Sequence, residues 1–293
     1  MVTGPASAGL EFPMNSPLVP KSLLLSFALA ALAVLLLLLA IPQRAAAQAT
    51  SETAGGTTGG SILLWPVNPV IEADDRAAAL WLENPGKAPV TLQIRIYAWA
   101  QQDGKSVYAA QDAVLGTPPI ATIAPGEKQL VRLTRTLATA PGTEAAYRVV
   151  VDEIPAARPA GAAGAAVSFR MRYSLPLFAY GQGLAAPGAA DRGKRRPQPA
   201  PAPLLNWRTG QDGESRYLEI HNSGIVHARL TDVAFADGTA ASGEQIVAKG
   251  LLGYVLPGAT MRWPLADGAA GASVALVASV NGAPAAPIAR LAD

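Results

Sequence analysis

Residues 166–178, AVSFRMRYSLPLF, alternate between apolar and polar positions. Val167, Phe169, Met171, Tyr173 and Leu175 share one parity, and Ser168, Arg170, Arg172 and Ser174 share the other. Successive side chains of a strand point to opposite faces, so the pattern predicts a strand with one oily side and one basic side. Shorter runs of the same kind recur upstream. They predict strands near 61–65, 67–73, 76–83, 89–100, 105–110, 119–123, 128–136 and 145–154, with turn signals at Asn84-Pro85-Gly86, Asp103-Gly104 and Pro125-Gly126. No stretch sustains a helical period. So many strands over so short a length, with Trp99 on an early central one, suggest an immunoglobulin-like sandwich.

The plan then repeats. LWLENPGKAPVTLQIRIYAW (80–99) parallels YLEIHNSGIVHARLTDVAF (217–235), and IAPGEKQLVRL (123–133) parallels VLPGATMRWPL (255–265). Each pair reads strand, turn, strand, and the order is the same in both copies. The expected fold is therefore all-β, with sandwiches over 61–180 and 204–293. The Gly- and Pro-rich stretch 181–203 between them, with a basic run from Arg192 to Arg196, reads as a solvated linker.

The N-terminus follows a different pattern. Lys21 precedes the apolar run from Leu23 to Ile41, and small residues follow at Ala47-Gln48-Ala49. That order of charge, apolar core and A-x-A site predicts a signal peptide over 1–49 and a cleaved, exported product. The run is long for a signal core, so a retained inner-membrane anchor is the alternative. Residues 50–60, TSETAGGTTGG, read as a flexible leader.

Composition narrows the chemistry. Charged residues are 15% of the chain, and 28 glycines and 25 prolines suit a turn-rich β-protein. A net charge of +2 does not point to nucleic acid or an anionic membrane. With no cysteine, disulfides and thiolate chemistry are excluded. The only imidazoles, His221 and His227, have no carboxylate cluster at metal spacing around them and read as surface or turn histidines. GAADRGKR (188–195) approaches a phosphate loop, but Arg195 stands where Ser or Thr is required, and prolines follow where a helix should. Asp74-Asp75 and Asp152-Glu153 are adjacent pairs, whose side chains diverge on a strand. The chain is not expected to be an enzyme, or to need a cofactor or metal.

YRVVVDEIP (147–155), followed after a loop by VSFRMRYSLPLFAYG (167–181), resembles the last two strands of the first domain of PapD-like periplasmic chaperones of the chaperone–usher pathway. LWLENPGKAPVTLQIRIYAW and PPIATIAPGEKQLVRLT (118–134) match that family in the same order, and the combination is most similar to its archaic branch. The resemblance covers the first domain; the second fits by length and strand order. It implies two immunoglobulin-like sandwiches set at an angle, working in the periplasm. Pilus subunits of this pathway lack their last strand, and the chaperone lends one of its own, a form of strand addition. The resemblance assigns the lent side chains to Val167, Phe169 and Met171, with Tyr173 and Leu175 continuing the row. At roughly 1.5–3 kcal/mol for each large side chain buried, such a row supplies on the order of ten kcal/mol before ordering costs.

Further positions follow from the resemblance. Arg132 and Glu153 correspond to a cleft ion pair of the family, whose acidic third member, seen in many relatives, falls near Asn281. The basic residues that hold the subunit's terminal carboxylate in classical members fall at Asn68 and Pro176. Arg95 and Arg172 are the candidates to replace them, the alternative being solvent exposure or an internal ion pair with Glu153 or Glu83. The implied partners are pilus subunits and an outer-membrane usher, with self-association through the donor strand also plausible. The competing reading is a structural pilus subunit or surface adhesin. Such a subunit should carry an alternating donor segment after its signal, and 48–60 has none.

Overall fold

The computed structural model describes residues 62–155, 170–186, 201–236, 245–266 and 275–291. They form strands and loops, with no helix among the described residues. The signal peptide, the leader and residues 187–200 of the expected linker lie outside them, as do Val167 and Phe169.

The first ten strands are β1 (Leu63–Trp65), β2 (Val70–Ile71), β3 (Ala77–Glu83), β4 (Val90–Gln102), β5 (Lys105–Ala109), β6 (Val114–Thr117), β7 (Ile120–Ile123), β8 (Lys128–Arg135), β9 (Glu144–Ile154) and β10 (Arg172–Tyr180). They build two sheets, in the orders β1-β3-β8-β6 and β2-β10-β9-β4-β5, with β7 also paired to β4. The inner faces supply alternate residues to one core, such as Leu80, Leu82 and Val131 from the first sheet and Leu92, Val149 and Val151 from the second. This is the period-2 pattern of the sequence turned into two apposed surfaces.

Seven strands follow: β11 (Leu205–Asp212), β12 (Ser215–Asn222), β13 (Ala228–Ala236), β14 (Gln245–Val255), β15 (Thr260–Pro264), β16 (Ala275–Val280) and β17 (Ala286–Arg290). Their order is β14-β13-β16-β17-β11-β12-β15. β17 joins the two halves, antiparallel to β16 and parallel to β11. A second core forms around Trp207, Leu218, Ile220, Leu230, Phe235 and Leu276.

The internal repeat reappears as hydrogen bonding. Buried Asn84 donates its amide to the carbonyls of Ala88 (2.8 Å) and Ile123 (2.9 Å) and accepts from the Gly86 amide (3.0 Å). Buried Asn222 does the same with Val226 (2.8 Å), Val255 (3.1 Å) and Gly224 (3.0 Å). In both copies the asparagine ties its own turn to the later Pro-Gly hairpin, whose glycine amide, Gly126 or Gly258, returns a bond to the asparagine carbonyl.

Several expectations need correction. The strand expected over 67–73 shrinks to Val70–Ile71, because Pro66 and Pro69 offer no amide to a ladder. β6 went unpredicted, being short and interrupted by Gly116. A Cβ there would stand 3.2 Å from Ile94 Cγ2, so glycine permits the close approach. Trp99 is buried, but on the outer face of its sheet rather than in the sandwich core. It packs against Phe178, Tyr254 and Val226, between the two sandwiches. Leu184 and Ala186, placed in the expected linker, are buried in that same cluster.

Candidate functional site

β10 sets the site. It pairs with β9 along its whole length, while on its other edge β2 covers only Phe178 and Ala179. Among the described strands none pairs with the outer edge of Arg172–Leu177, which leaves unpaired backbone donors and acceptors ready for an added strand.

The side chains divide by parity. Leu175, Leu177 and Ala179 point into the first sandwich and belong to its own core. Tyr173 packs against that core, and its hydroxyl accepts from the Ile62 amide at 2.9 Å. Met171, of the same parity but beyond the strand's end, is 41% exposed. The expected row of lent side chains is therefore cut. Tyr173 and Leu175 are held by the chain itself, because the paired part of β10 faces an occupied core. Only Met171 among the described members is free.

The opposite face of this sheet carries the charge. Asp152 accepts from Arg95 at 2.5 Å and from Arg172. Burial pushes the Asp152 carboxyl up, but the hydrogen bonds from Arg172 and Arg95 outweigh it and hold the group below the usual carboxylate range. The two candidate carboxylate anchors are thus joined by an internal acid. It is Asp152 rather than Glu153 or Glu83, because Asp152 shares their face while Glu153 points inward. The expected pair of Arg132 and Glu153 does not form. Arg132 lies exposed on the other sheet, between the buried Val131 and Leu133, and Glu153 pairs across to Leu92, with Oε2 buried and unpartnered.

The residue that sequence reading missed is Arg148. It is the direct cross-strand neighbour of Pro176, the position vacated by a basic residue. Its guanidinium lies 3.8 Å from the centroid of Trp99 and 5.6 Å from that of Tyr254, a cation–π setting. Burial pulls its pKa below the ordinary arginine value, the electrostatic influence of Tyr108 and Tyr254 opposing. Nε is buried without a partner, and no carboxylate among the described residues pairs with it. The usable signal was its parity in YRVVVDEIP, opposite to the core-facing Tyr147, Val149 and Val151.

A cavity of about 690 Å³ opens in front of this face. Arg148, Arg172, Pro176 and Asn68 from the first sandwich line it, together with Arg229 and Leu251 from the second. At its floor the sandwiches are joined by polar contacts. His227 gives its amide (3.1 Å) and Nδ1 (2.8 Å) to Glu144, whose side chain is fully buried, and its ring stacks on Phe178 at 3.6 Å. Gln101 bonds the backbone of Tyr254 and Leu256, each at 2.8 Å. His227 is thus an interface residue, not the surface histidine expected, while His221 bonds Thr260 at 3.1 Å.

Residues 65–185 match the family described as pili and flagellar-assembly chaperone, PapD N-terminal domain. No curated protein matched the sequence. Among solved structures, the complex of CsuC with the tip adhesion subunit CsuE, from archaic chaperone–usher Csu pili of Acinetobacter baumannii, matches at 30% identity and a TM-score of 0.64, over 80% of this chain and 100% of that one. The Pseudomonas aeruginosa CupB2 chaperone matches in fold at 18% identity and a TM-score of 0.51, over 78% of this chain and 100% of that one. The Salmonella enterica SafA pilin–SafB chaperone complex matches in fold at 18% identity and a TM-score of 0.50, over 78% and 95%.

Proposed function

We propose, since the chain belongs to the PapD family of pilus-assembly chaperones, that it receives pilus subunits in the periplasm, completes each by lending a strand, and passes it to an outer-membrane usher. The open edge of β10 beside a cation-lined cleft is the observation that carries this reading. A subunit's edge strand adds to Arg172–Leu177 through backbone hydrogen bonds, as in other strand additions. The lent side chains are Met171 and, by continuation of the sequence pattern, Phe169 and Val167. Leu175 and Tyr173 instead anchor the strand in its own sandwich. A protein that keeps its own final strand has no gap for another's, which argues against a structural pilus subunit. The work is non-covalent throughout, in keeping with a family of chaperones.

The subunit's terminal carboxylate is held by Arg148. Arg95 and Arg172 already share Asp152, whereas Arg148 stands beside the vacated position with a planar fork suited to a carboxylate. Co-purification of a subunit with wild-type chaperone and with Arg148→Gln tests the assignment. Loss of most of the bound subunit, with the melting temperature preserved, is expected. Undiminished capture by Arg148→Gln contradicts it.

A further inference from the structure

Arg148 does not face the cleft alone. Arg229, on β13, is the cross-strand partner of Tyr254. The neighbouring pair along the ladder, Ala228 and Val255, is buried in the second core, so Arg229 and Tyr254 share the opposite, cleft-facing side. The Tyr254 ring is the one beside which the Arg148 guanidinium sits. Two arginines, one from each sandwich, therefore flank a single tyrosine and line the same cavity.

Neither has a carboxylate partner among the described residues. The acids in the neighbourhood are spent: Asp152 on Arg95 and Arg172, and Glu144 on His227. Like charges brought together around a partly dry cavity repel one another, and an anion between them relieves that cost. The backbone that presents Arg229 is fixed as well. Asn281 accepts from the Arg229 amide at 2.7 Å and donates to the His227 carbonyl at 2.9 Å.

We infer that Arg148 and Arg229 form one oxyanion site spanning the two sandwiches, so that the carboxylate of a bound subunit ties the second domain to the first. The assignment of the carboxylate to the cleft rests on the function proposed above; the contribution of the second domain does not. The site is charged and open when no subunit is bound, and a small free oxyanion fills it then.

Inorganic phosphate, titrated into the subunit-free chaperone at constant ionic strength, is the probe. Phosphate binding should weaken by about thirtyfold or more in Arg148→Gln and in Arg229→Gln, as for loss of one member of a desolvated charge pair, and stay unchanged in a Lys87→Gln control. Chaperone purified with a bound subunit should not bind phosphate, because the subunit's carboxylate holds the site. If Arg148→Gln weakens phosphate binding and Arg229→Gln does not, the cross-domain site is wrong while the Arg148 anchor stands. Phosphate binding that persists in the loaded complex also overturns it. If Arg229→Gln alone matters, the Arg148 anchor fails and the two-arginine site with it. A melting curve for each variant separates loss of binding from loss of fold.

Discussion

Asp152 shows how one acid decides what two arginines can do. Its carboxyl titrates lower in the folded chain than in the unfolded one, because Arg172 and Arg95 favour its charged form by more than burial disfavours it. A depressed folded pKa contributes stability that is full above the unfolded value, about 4, and is lost as pH falls through the folded value. Asp152→Asn should therefore melt earlier than wild type at pH 7, with the gap closing below about pH 4. A gap independent of pH contradicts the pairing. Glu219, between Arg208 (2.5 Å) and Arg262 (2.7 Å), repeats the arrangement in the second sandwich and should behave alike. Asn84 is a residue of the opposite kind, wholly structural. Asn84→Ala strands two carbonyls and an amide, at about 1–3 kcal/mol for each buried group left unsatisfied, and urea denaturation should show a loss of at least that size.

At the scale of the element, β10 does two jobs along its length. Its C-terminal half is core and the chain just before its N-terminal end is free, so substitutions four residues apart should part company. Leu175→Ala should cost about 2–5 kcal/mol of stability, as for other buried leucines. Met171→Asp should leave the melting curve near wild type and remove subunit capture, since Met171 is already 41% exposed. Equal losses of stability from both would return Met171 to the core. The alternation of 166–178 was plain in the sequence, but the point at which its oily face leaves the chain's own core was not. That point depends on where β9 stops pairing, and residue pattern alone does not report it. The Asn84 and Asn222 turns were legible for the converse reason: their bonds run to their own turn and to one hairpin at fixed spacing. β6 and the truncated β2 were lost to local chemistry, a glycine in one and flanking prolines in the other.

At the scale of the whole molecule, what sequence could not show was which outer faces meet. Trp99, Arg148 and Arg95 share one face of one sheet, and period-2 reasoning places them together correctly. It cannot say that the second sandwich covers Trp99 and half-covers Arg148 while leaving Arg95 in reach of Asp152. Nor does it show that Arg95 and Arg172 share Asp152, and the roles proposed for Arg148 and Arg229, like the burial of His227, rest on contacts between segments far apart in the chain. The joint itself rests on few polar contacts around a compact aromatic cluster of Trp99, Phe178, Tyr180 and Tyr254. In the proposed function a subunit's strand adds to the open edge of β10. Amide hydrogen exchange across β10, compared between free and subunit-loaded chaperone, tests it most directly. Strand addition predicts that amides within Arg172–Leu177 pointing away from β9 exchange quickly in the free protein and become strongly protected on loading, while those bonded to β9 change little. Unchanged exchange along this edge in the loaded complex, with protection appearing on the other sheet of the first sandwich instead, contradicts it.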